Sequence, residues 1–137
     1  MNEKILTKLS EAQDSVKLVR ENFPKTYEEF MSMKKLERDG IYKNIEFAIE
    51  NILDICAIIL KNEDLPVPDS YEDILDELKN AQVIEDDVIE IIRQMRGFRN
   101  YLVHRYGILD DEIAYHDIRD SLADFTRTFK EIKDIIS

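Results

Sequence analysis

With 137 residues, the chain is long enough to bury a core without a metal or cross-link, and its single cysteine excludes an intramolecular disulfide. Apolar residues make up 44% and charged residues 36%, while three Gly and three Pro leave little turn chemistry for a sheet; long helices in one domain over residues 1–137 are expected. The formal net charge of −11 argues against a general nucleic-acid binder, because affinity for phosphates comes from Lys and Arg.

Residues Met1 to Leu6 alternate charged and apolar side chains without a signal-peptide-like run. No apolar run is long enough to span a bilayer, so a cytoplasmic protein with no membrane association is expected. Ile5, Leu9, Ala12, Val16 and Val19 recur at spacings of three and four, which predicts a first helix over Glu3 to Asn22. Phe23-Pro24-Lys25 interrupts it. Thr26-x-x-Glu29 then has the pattern in which two side chains satisfy free amides at a helix start. A second helix is expected from near Tyr27 to Lys61, bending around Asp39-Gly40, since glycine inside a helix costs about 1 kcal/mol relative to alanine. Between Ile45 and Leu60 its apolar residues lie on more than one face, as in either a central helix or an interface helix, and Cys56 reads as a core residue.

Asn62 to Asp69, with Pro66 and Pro68, is a loop. Ser70 caps a short helix over Tyr71 to Asn80, and a break follows near Gln82. Asp86 or Asp87 is expected to cap the next helix, which carries Ile91, Met95, Phe98 and Leu102 on one stripe and stops at Gly107. Asp110-Asp111-Glu112 places negative charge at the start of the last helix, Ile113 to Ile136. The pattern is all-α: an up-and-down bundle of four long helices plus one short helix.

Charge is distributed unevenly. From Ile91 to Leu109 there is no Asp or Glu, yet Arg93, Arg96, Arg99 and Arg105 contribute +4, so the remainder carries −15. Such an island is either a helix whose arginines pair with acidic neighbours in the fold or a site for an anion. At about 100° per residue, Arg93, Arg96, Asn100 and His104 share one broad side of the helix, and Arg99 and Tyr106 border it. Arg99 and His104 differ by about 140° around the axis, so they converge only through the long Arg side chain or at a cleft beside a partner.

The residue types suit phosphodiester cleavage without a metal. A histidine titrates near neutrality and can take the proton of an RNA 2′-hydroxyl, while a guanidinium stabilises charge building on phosphorus. The bland reading of His104 is a solvated side chain favoured by the helix dipole. Glu50 and Asp54, one turn apart, either orient Arg99 or His104 or face water. His116 has no ligand-spaced partners, and no metal or other cofactor is expected. A Gly-rich phosphate loop is missing too, because the three glycines are isolated.

Arg99-x4-His104-x-Tyr106 resembles the Arg-x4-His-x-Tyr motif of the HepT family, within the HEPN superfamily of helical ribonuclease domains. The surrounding phrase from Gly97 to Tyr106, the segment from Ala48 to Ile55, and the length and helix order are similar as well. The resemblance implies a HEPN-like fold and a homodimer in which Arg99 and His104 of two chains face a shared cleft and cleave RNA. It also implies a cognate minimal nucleotidyltransferase as antitoxin, in a type VII-like toxin–antitoxin pair, which silences the toxin by transferring AMP to Tyr106. Arg93, Arg96, Asn100 and Arg105 would then assist RNA placement. The competing reading is a non-catalytic helical subunit of a nucleotidyltransferase complex that binds a nucleotide or the partner chain.

Overall fold

The computed structural model describes residues 2–104 and 108–137. Six helices lie among them: α1 (Glu3–Asn22), α2 (Tyr27–Ser32), α3 (Lys35–Asn62), α4 (Tyr71–Asn80), α5 (Asp86–His104) and α6 (Asp111–Ile136). No strand occurs among the described residues. The all-α expectation holds, with two short helices rather than one.

The stripe on α1 buries Ile5, Leu9, Ala12, Val16 and Val19 along α3. α3 is the central helix. It buries residues on several sides because α1, α4 and α5 all pack against it. The apolar content of residues 45–60 is therefore used within one chain and does not by itself argue for a second copy. Cys56 is buried there, and burial pushes its thiol up to about 12, so it is an unreactive core residue.

The bend expected at Gly40 is instead a break at Met33 and Lys34, both with extended backbone. Thr26 Oγ1 accepts from the Glu29 amide at 3.1 Å and starts α2 as its pattern predicts. Six residues later the chain turns, and Arg38 of α3 donates to the Met33 carbonyl at 2.5 Å and the Met31 carbonyl at 3.2 Å. Glu37 reaches back to the Lys34 amide at 3.3 Å. The turn lets Phe30, from α2, and Tyr42, from α3, meet edge to face in the core. Gly40 sits inside α3 with no atom within 4 Å of where a Cβ would stand, so no close approach requires it.

α4 follows its predicted bounds. Ser70 Oγ accepts from the Asp73 amide at 3.1 Å, a cap of about 1 kcal/mol. Ile74, Leu75 and Leu78 are buried, each contributing roughly 1.5–3 kcal/mol. Gln82 has a φ of 56°, a left-handed conformation that ends the segment. Neither Asp86 nor Asp87 caps α5. Both lie in its first turn, where carboxylates match the helix dipole, and the Glu85 carbonyl accepts the first helical bond from Ile89 at 3.0 Å. The Glu85 amide donates to Glu131 of α6 at 2.8 Å.

Asp110 caps α6 by accepting from the Glu112 and Ile113 amides. Two tyrosines fasten this start: the Asp110 amide donates to the Tyr101 hydroxyl at 2.9 Å, and the Tyr42 hydroxyl donates to Asp111. Among the described residues no helix is long and apolar enough to cross a membrane.

Candidate active site

α5 buries Val88, Ile89, Ile92, Met95 and Leu102, while Ile91 and Phe98 are half-buried. The inward row is thus rotated from the expected stripe. Arg99 follows Ile92 by seven residues and Met95 by four, so it occupies an inward position rather than the border of the polar face. Its guanidinium spans the gap to α3. There Glu50 Oε1 accepts from Nη2 at 3.0 Å and from Nε at 3.3 Å, while Nη1 donates to Asn100 Oδ1 at 3.1 Å. A guanidinium carries five N–H donors, so two remain for an incoming anion.

Of the two carboxylates, Glu50 holds Arg99 and Asp54 does not. Asp54 accepts instead from Lys8 Nζ at 3.2 Å and from the Tyr71 hydroxyl at 3.0 Å. Burial and the bond to Asp54 raise the pKa of that phenol above its ordinary value, which keeps it a donor. Tyr71 and Tyr101, neither of them marked by sequence spacing, are the polar aromatics that tie the surroundings of the site together.

The basic island is largely paired within the fold. Arg93 pairs with Glu72 and, at 2.5 Å, with Asp76, both on α4; Arg96 reaches Glu72 at 3.6 Å. These contacts clamp α4 onto α5, a structural task that accounts for both arginines. His104 differs: it is the last residue of α5, exposed, and makes no hydrogen bond or ion pair with a described residue. No hydrogen bond joins Arg99 to His104 within the chain, the guanidinium being bonded to Glu50 and Asn100. Arg105, Tyr106 and the expected helix stop at Gly107 lie outside the described residues.

His116 packs its ring against Tyr27 and Tyr115, a structural setting. Among the described residues no group of three or more His, Cys, Asp or Glu side chains could hold a metal ion. A groove of about 310 Å³ between α5 and α6 is floored by Met95, Phe98 and Phe125 and rimmed by Asp117, Asp120 and Asp124. Burial, and then Asp120, push the Asp117 carboxyl up, and three carboxylates on one rim disfavour an anion.

Residues 12–132 match the family described as Ribonuclease HepT-like. The chain belongs to the HepT-like ribonuclease family. Among relatives, it is 25% identical over 135 residues to the mRNA nuclease HepT of Shewanella oneidensis, covering 97% of this chain and 98% of the relative. Its fold matches a structure described as the tri-AMPylated Shewanella oneidensis HEPN toxin in complex with MNT antitoxin, with a TM-score of 0.84 and 24% identity over 98% of this chain and 99% of the other. A toxin–antitoxin structure with AMP-PNP matches at a TM-score of 0.82 and 24% identity, covering 96% and 99%. The HepT-like match contains the whole Arg99-x4-His104-x-Tyr106 motif.

Proposed function

We propose that this chain is a metal-independent endoribonuclease, the toxin of a toxin–antitoxin pair. The observation that carries the reading is the family match across the motif, in which His104 stands exposed and unpartnered among the described residues at the end of α5. In this mechanism His104 takes the proton of a 2′-hydroxyl. The 2′-oxygen attacks the adjacent phosphorus, the bond from phosphorus to the 5′-oxygen breaks, and that oxygen leaves as a hydroxyl after gaining a proton. Arg99, steadied by Glu50 and Asn100, turns its two remaining N–H groups to the phosphate. Because the two residues diverge around α5, the cleft is completed by a second copy, which makes the active form a homodimer.

RNA incubated with the protein in EDTA is expected to be cut, leaving 2′,3′-cyclic phosphate ends. Complete loss of cleavage in EDTA, restored by magnesium, overturns the mechanism, and a folded wild type that never cuts RNA favours the non-catalytic reading.

Regulation follows the same chemistry. A cognate minimal nucleotidyltransferase transfers AMP from ATP to the Tyr106 hydroxyl and releases pyrophosphate, placing bulk and negative charge two residues from His104, where they compete with an RNA phosphate. Tyr106→Phe is expected to cut RNA yet gain no adenylyl mass on incubation with that partner and ATP. The same mass increment on Tyr106→Phe as on the wild type removes Tyr106 from this role.

A further inference from the structure

Aromatic side chains in this fold are covered, with one exception among the described residues. Phe47 of α3 is 40% exposed, while every other described Phe and Tyr is buried or half-buried. Phe47 precedes Glu50 by three residues, so the two are neighbours on one helical face, with Cβ atoms about 5–6 Å apart. Glu50 is the residue that holds Arg99.

The helix pairing places the ring further. Glu50 meets Arg99, whereas Asp54, one turn later on α3, meets Tyr71, whose neighbour Glu72 meets Arg96, one turn earlier on α5. Descending numbers on α3 therefore accompany ascending numbers on α5, and the two helices run antiparallel. With a rise of about 1.5 Å per residue, Phe47 lies about 4.5 Å along from the Arg99 level, and His104 about 7.5 Å along in the same direction. By this register, position 47 on α3 falls at an axial level between the two residues of the motif.

We propose that Phe47 is a stacking platform for an RNA base next to the phosphate held by Arg99; this rests on the ribonuclease reading above. Attack by a 2′-oxygen needs the nucleotide out of regular helical stacking so that the oxygen can align opposite the leaving group. An aromatic face beside the phosphate anchor takes up an unstacked base without reading its identity, as single-stranded RNA sites do. This helps an acidic chain, whose other arginines on α5 are committed to α4, to hold RNA without many free cations.

The test uses the full chain in a His104→Ala background, so that RNA is bound and not cut. A fluorescein-labelled single-stranded 12-mer of mixed sequence is the probe, read by anisotropy, with light scattering on each variant. Phe47→Ala is expected to weaken binding about 10- to 100-fold, and Phe47→Tyr to retain it, with the oligomeric state unchanged throughout. Equal binding by Phe47→Ala and its parent overturns this inference alone. So does a change of oligomeric state in Phe47→Ala, which assigns the ring to a contact between copies. Failure of the parent itself to bind the 12-mer, while wild type does not cut it, overturns the ribonuclease reading as well, and the two failures are thereby distinguished.

Discussion

His104→Ala is expected to lower RNA cleavage by about 10²–10⁴-fold, the usual contribution of a positioned general base. The chain should remain fully helical. His104 is exposed at the last position of α5, and removing its imidazole leaves no described group without a partner and opens no cavity. Circular dichroism and a melting curve alongside the rate measurement separate chemistry from folding. A folded variant that cuts at the wild-type rate refutes the assignment.

The second large effect is expected at Arg99. Arg99→Lys keeps the charge but replaces a planar fork by a single ammonium, which cannot bind Glu50 side-on, donate to Asn100 and still offer paired donors to phosphate. A loss of about 10²–10³ in kcat is the expected result, comparable to removing one donor from a transition-state anion site. Because Lys still neutralises the half-exposed Glu50 carboxylate, the melting temperature should move little by comparison. Near-normal rates for Arg99→Lys take Arg99 out of the chemistry.

The elements were largely legible from periodicity and from the helix starts at Thr26 and Ser70: α1 and α4 have the expected bounds, whereas the cap expected at Asp86 or Asp87 is not formed and Asp110, legible only as charge at a helix start, caps the last helix. The break after Ser32 was not, because it contains neither Gly nor Pro. Its reason is tertiary, since Phe30 and Tyr42 have to reach one core from different helices, and only Glu37, three residues beyond Lys34, marks it locally. Gly40 misled in the other direction: a glycine in open surroundings weakens a helix without ending it.

At the site, residue types were readable but partners were not. Arg99 and His104 stand out by motif, whereas the inward placement of Arg99 depends on how α5 rotates against α3. That rotation follows from burying Val88, Ile92 and Met95 together. Glu50 and Asp54 look alike on the sequence. The structure separates them because Arg99 reaches one while Lys8 and Tyr71 reach the other.

The arginines clamped between α4 and α5 also set how the molecule responds to ionic strength. Each phosphate neutralised by a free cation releases condensed counterions, giving a slope of about −0.7 per contact for a single strand. Arg93 and Arg96 already face carboxylates, so they add little to that release, and a chain of net charge −11 does not gather along polyanions indiscriminately. The proposed hold on RNA is correspondingly expected to rest on few ionic contacts, to weaken only gradually as salt rises, and to favour strands whose bases are already unpaired over duplex backbone.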